Sequence, residues 1–168
     1  MRLRNLIPTN TKLVLFETAI LPHLTYCHLV WHFCRASDSR KIKRLQERGL
    51  RAVFRNNASY PELLKWAKLP SLLNRRLQDI CALMYKVKNN LCPSYISDIF
   101  INHRSKYNWR QSDFSVARHN TVTYGKHSLR HFGPKLWGKL SPDVMELYTL
   151  KWFKNKIRTL DGYGYING

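Results

Sequence analysis

The run Ser37-Asp38-Ser39-Arg40-Lys41-Ile42-Lys43-Arg44-Leu45-Gln46-Glu47-Arg48-Gly49-Leu50-Arg51-Ala52-Val53-Phe54-Arg55 decides the fold class. Ser37 or Asp38 can cap a helix running to about Phe54, in which Ile42, Leu45, Gly49, Ala52 and Val53 form one apolar stripe. At about 3.6 residues per turn, Arg40, Arg44, Arg48, Arg51 and Arg55 fall within about 80° of arc on a separate face. The helix therefore has one side made for packing and another that is a rail of guanidinium groups. Planar guanidiniums grip phosphate oxygens without reading base identity. A merely solvated helix face is the plainer alternative, and the shortage of acidic neighbours weighs against it.

Outward from this run the pattern stays helical. Thr9 and Asn10 offer caps for a helix from about Thr11, with Leu13, Phe16, Ile20 and Leu24 at core spacing, and Pro22 is expected to break or kink it. From Pro22 to about Phe33 a second helix is expected, apolar on most sides and so buried at the centre of the fold. Ser59 followed by Glu62 is a capping box that opens a helix from Tyr60 to Lys68, closed by Pro70. Ser71 caps the longest helix, which buries Leu73, Leu77, Ile80, Met84 and Val87 and ends at Asn89-Asn90. Pro93 then opens one short turn through Tyr95, Ile96, Ile99 and Phe100.

From residue 101 the character changes. The stretch from Asn102 to Gln111 is polar, basic and aperiodic, which predicts a linker. Arg118 to Tyr124, rich in Thr and Val, predicts an extended segment, and Lys135 to Leu140 and Thr149 to Ile157 predict two short helices. The glycine-rich end is expected to be disordered.

The chain has 168 residues, 44% hydrophobic, enough for one compact domain or one bundle with an appended tail. Its formal charge of +19 points to a polyanionic partner, nucleic acid first and an anionic membrane surface second. Four cysteines are too few for a disulfide scaffold, and no apolar run precedes Pro8, so an intracellular, unsecreted protein is expected, nuclear or cytoplasmic. Glu17, Pro22, His23, His28 and His32 interrupt the most apolar stretch, which argues against a membrane span.

Chemistry is harder to place. Two-metal polymerase or nuclease catalysis needs clustered carboxylates, yet no two acidic residues are adjacent and Asp79, Asp98, Asp113 and Asp143 are scattered. No nucleophile elbow and no dinucleotide loop is present. The chain is accordingly read as a non-enzyme with no cofactor. Cys27, His28, His32 and Cys34 invite zinc, but four ligands within eight residues of one helix cannot surround a tetrahedral ion, so no metal is expected. Tyr107, Trp109 and Arg110, with Arg104 and Lys106, mix aromatic rings and cations as single-strand binders do.

The segment Leu15-Phe16-Glu17-Thr18-Ala19-Ile20-Leu21-Pro22-His23-Leu24-Thr25-Tyr26, followed by Val30-Trp31, resembles the region just after the palm in reverse transcriptases of LINE-type (non-LTR), Jockey-like retrotransposons. Leu45 to Val53 resembles that family's Gln-x-x-Ala-Leu-Arg helix, with Gly49 where alanine is usual. Leu69-Pro70-Ser71-Leu72 with Arg75-Arg76, Met84-Tyr85-Lys86, Tyr124 to Ser128 and Phe132-Gly133-Pro134-Lys135-Leu136-Trp137 continue the match in family order. A glycine at position 49 costs roughly 1 kcal/mol of helix propensity unless it permits close packing.

The resemblance suggests that Lys12 to Phe54 is thumb-like and that the later region is the post-thumb part; joined to the residue pattern, this gives a helical thumb-like bundle over residues 1–100, a basic linker with a possible extended segment over 101–123, a short-helix region over 124–160 and a disordered tail over 161–168. It implies a chain that begins inside the family pattern, lacking the palm aspartates and the upstream endonuclease. Such a fragment would hold template and primer, whether RNA, DNA or hybrid, through phosphates, with the missing polymerase core as a second partner and no membrane partner. Its nucleic-acid-binding residues would be Arg40, Lys41, Arg44, Arg48, Arg51, Arg55, Arg75, Arg76, Arg104, Lys106, Tyr107, Trp109 and Arg110.

Two rival readings remain. In one, Trp137, Trp152 and Phe153 anchor an interaction module on that core. In the other, departures such as Ser141-Pro142, Met145, Tyr148 and Trp152 mark a decayed element copy under no selection. A base-reading regulator would need Asn or Gln partners that the rail lacks.

Overall fold

Pro22 lacks an N–H, so the helical ladder entering it must be rearranged rather than simply continued. The computed structural model, which describes residues 7–100 and 113–159, shows how. Helix α1 (Thr9–Leu15) passes through a π turn, Phe16–Ile20, into α2 (Leu21–Thr25), and the Leu21 N–H reaches five residues back to the Phe16 carbonyl. The start at Thr9 follows Pro8, and neither Thr9 nor Asn10 caps it with a side chain.

The expected buried helix from Pro22 to Phe33 is not formed. Cys27 adopts left-handed backbone (φ 48°) and ends α2, and α3 is a single turn, His28–Trp31. The Trp31 indole N–H donates to the Tyr26 carbonyl at 2.8 Å, which holds the break. Tyr26 is 76% exposed and Val30 80%, so this stretch is not the centre of the fold.

Helix α4 is Ala36–Phe54 and α5 is Tyr60–Ala67. The capping box at α5 is as expected: Glu62 Oε2 accepts from the Ser59 backbone N–H at 2.9 Å and from its hydroxyl at 2.7 Å. The chain leaves α5 through left-handed Lys68, ahead of Pro70. Helix α6, Leu72–Lys88, begins with Ser71 Oγ accepting from the Asn74 N–H at 3.1 Å. Left-handed Asn90 ends it, and α7 (Ser94–Ser97) follows Pro93. A π turn, Val122–Lys126, then precedes α8 (Leu129–Trp137), α9 (Pro142–Met145) and α10 (Leu150–Thr159). The fold is mainly α, and among the described residues there is no strand and no helix long and apolar enough to cross a membrane.

The chain divides into two compact units, Met1–Arg76 and Leu77–Gly168. In the first, Phe16, Leu21, Leu50, Val53, Leu63, Ala67 and Leu72 form the core. Each of the larger of these side chains, the leucines, Val53 and Phe16, contributes about 1.5–3 kcal/mol on burial. The buried face of α4 is not the one the stripe suggested: Leu45 is 52% exposed and Ala52 is exposed, whereas Gln46 and Leu50 are buried. The face is turned by roughly 60° because a distant partner makes a polar residue at home inside. The Tyr60 hydroxyl donates to Gln46 Oε1 at 2.6 Å, and burial pushes the Tyr60 pKa up to about 12. Gly49 serves the same packing, since a Cβ there would meet the Phe16 ring at 2.4 Å.

The second unit is held by aromatic rings. Tyr85 stacks on Phe153 with centroids 4.5 Å apart, Trp137 lies 5.7 Å from Phe153, and Phe114 meets Trp137 edge-on at 6.1 Å. The buried Trp137 indole donates to Asp113 Oδ2 at 2.8 Å, and Lys88 pairs with the same oxygen at 2.9 Å. Gly133 admits Met84, whose sulfur would lie 2.8 Å from a Cβ.

Three expectations differ here. Leu73 is 47% exposed rather than buried. The segment expected to be extended instead curls into the Val122–Lys126 turn, where Thr121 Oγ1 and carbonyl both accept from the Gly125 N–H. Helix α8 starts six residues before Lys135, from the Ser128 cap, and carries Pro134 in its interior. The expected linker over 102–111 and the expected disordered end from 162 lie outside the described residues.

Candidate nucleic-acid interface

With Gln46, Leu50 and Val53 packed inward, the arginines of α4 fall on the opposite side by helical geometry. Arg40, Arg44, Arg48 and Arg55 are exposed and Arg51 is half-buried. From Arg40 to Arg55 the rail runs about 22 Å, on the order of six base-pair steps of a duplex.

Its members are not equivalent. Arg51 Nη2 donates to Glu47 Oε1 at 2.7 Å, one turn back, and Lys41 pairs with Asp38 at 2.9 Å. Arg40 folds its Nε onto the Ala36 carbonyl at 3.3 Å. Lys43 lies over the Tyr60 ring, 4.8 Å from its centroid. Among the described residues, Arg44 and Arg48 make no ion pair. They are the cations with least to give up on meeting a phosphate.

The arginines of α6 part company. Arg75 is half-exposed, but Arg76 is buried, its guanidinium 4.9 Å from the Trp31 ring and its Nη2 3.4 Å from Ser39 Oγ. Arg76 thus belongs to the inside of the first unit, where burial works against its charge. Sequence reading placed it with the surface cations because its apolar partners lie far away in the chain. Arg104, Lys106, Tyr107, Trp109 and Arg110 lie outside the described residues.

Cys27 is exposed, His28 buried and Cys34 half-buried. Burial above all, with help from Arg76 and His28, holds the His32 pKa down at about 4. Among the described residues no group of three His, Cys, Asp or Glu side chains converges to hold a metal ion. Of the three aromatic residues considered as anchors, Trp137 and Phe153 are buried in the second unit, and only Trp152 is exposed, at 69%.

Sequence reading missed one basic concavity. Lys126, Lys135, Lys139 and His131 line a cleft of about 140 Å³ in the second unit. The spacing of positions 131, 135 and 139, four residues apart, was the available signal, hidden by the late start assigned to α8. No protein-family model, curated protein or solved structure matches the chain.

Proposed function

We propose that this chain binds nucleic acid through phosphates, without base specificity, as the thumb and post-thumb part of a LINE-type reverse transcriptase. The observation that carries the binding claim is the rail itself: four arginines, Arg40, Arg44, Arg48 and Arg51, on one side of a helix that Arg55 ends, with Arg44 and Arg48 free of ion pairs among the described residues. The charge of +19 supports a polyanionic partner. RNA, DNA and hybrid duplexes all present that backbone, and an intracellular site of action suits them.

The test is salt. Binding to unrelated RNA, DNA and hybrid duplexes should weaken about 10³-fold or more between about 50 and 200 mM salt if six or more phosphates are met. Equal affinity for scrambled sequences is expected, and affinity indifferent to salt would refute the reading. A docking role on a polymerase core draws support from the exposed pair Tyr148 and Trp152, and predicts the opposite salt behaviour.

A further inference from the structure

The cleft of the second unit lies between the Val122–Lys126 turn and one face of α8. Lys126, Lys135 and Lys139 line it, Phe132 and Leu136 supply apolar surface, and among the described residues no acidic side chain lines it. His131 is oriented: its Nδ1 lies 3.0 Å from the Ala117 carbonyl, and the His119 ring meets it edge-on at 4.7 Å. A carbonyl only accepts, so Nδ1 carries the proton, and that bond orients the ring beside the cleft.

We propose that this cleft is a binding site for a phosphomonoester, the terminal phosphate of a nucleotide or of a nucleic-acid strand. Charge and shape separate this ligand from the duplex backbone. A monoester carries about −1.5 to −2 and three acceptor oxygens, which a cleft lined by several lysines suits better than it suits a singly charged diester. The cleft is small, about 140 Å³, and Phe132 and Leu136 offer the attached sugar or base an apolar surface. The rail and the cleft then divide the work, one gripping the length of a strand and the other its end. Only the strand as source of the phosphate rests on the proposed function above; the phosphate chemistry rests on the cleft.

The experiment compares one single-stranded oligonucleotide with a 5′-phosphate and with a 5′-hydroxyl, alongside a nucleoside 5′-monophosphate and inorganic phosphate, on the full chain. Four proteins are needed: the unaltered chain, the cleft variant Lys126→Gln with Lys135→Gln, the rail variant Arg44→Gln with Arg48→Gln, and a charge control, Lys154→Gln with Lys156→Gln. All these positions are exposed, and matching amide NMR spectra check the folds. The phosphorylated strand should bind roughly tenfold tighter than the hydroxyl strand, the order expected when an added charge of about −1.5 to −2 meets several exposed ammoniums. That preference should survive in the rail variant and the control and vanish in the cleft variant. If neither strand binds but the monophosphate shifts the His131 ring signals, and the cleft variant abolishes this, the site stands and the nucleic-acid reading falls. No preference for the 5′-phosphate together with no response to either free phosphate overturns the proposal, as does a preference that persists in the cleft variant.

Discussion

Replacing Gly49 by alanine tests the packing that aims the rail. On propensity alone the change adds about 1 kcal/mol to helix stability. The Cβ, however, would sit 2.4 Å from Phe16 Cε2 and 3.0 Å from Cδ2, and that side chain is 1% exposed and packed in the core of the first unit. Overpacking of a filled core costs about 1–3 kcal/mol, so the net expectation is a loss of about 1 kcal/mol. Hydrogen exchange of the α4 amides reads this locally, and protection should fall about fivefold. Combining the change with Phe16→Leu should show a coupling of about 1–2 kcal/mol, because the smaller side chain makes room for the methyl. If Gly49→Ala instead raises protection by the full propensity gain and shows no coupling to Phe16, the ring does not lie on α4 and the orientation of the rail loses its basis.

Three other outcomes are expected. His32 should titrate near 4; the unfolded chain, with its histidine near 6.5, takes up a proton that the folded chain refuses, so stability should fall as pH drops from about 6.5 to about 4. His32→Gln should flatten that slope in denaturant titrations at several pH values, and an unchanged slope would count against it. Asp113→Ala should cost about 1–3 kcal/mol by leaving the buried Trp137 indole N–H without its acceptor, a loss seen in urea unfolding and in the indole proton shift, whereas Asp113→Asn retains an acceptor and should cost less. Glu47→Gln releases Arg51 and removes a carboxylate from beside the rail, so duplex affinity should rise and the salt slope steepen by up to about 0.9.

What the sequence made legible was local. The Ser59–Glu62 box, the left-handed ending at Asn90 and the restart after Pro93 are each written within a few residues, and each stands in the fold. The suspicion that Gly49 earns its place by close approach also holds, since Phe16 occupies the space. What stayed hidden depends on residues far off in the chain. Gln46 is buried because Tyr60, fourteen positions on, supplies its hydrogen bond, and Arg76 is buried because Trp31 and Ser39 receive it. Periodicity alone assigns both to the surface, and so misplaces the buried face of α4. The arginines survived that error, because an arc of about 80° lies outside the core under either orientation. Pattern alone also started α8 at Lys135, whereas the helix opens at Leu129 and carries Pro134 in its interior.

The central claim is that the α4 rail carries the phosphate contacts. Arg44, Arg48 and Arg51 changed together to Gln keep an unbranched polar side chain and comparable helix propensity while removing three charges, and leave Gln46, Leu50 and Val53 untouched. The measurement is the slope of log K against log salt for a duplex, before and after. Each lost phosphate contact is worth about 0.9 of slope, so a decrease of about 2 to 3 is expected, toward the lower end because Arg51 is shared with Glu47. Affinity should fall about equally across sequences, with helical content unchanged. An unaltered slope in this variant, with binding abolished by replacing Arg104, Lys106 and Arg110 instead, would show that the rail is only a solvated face.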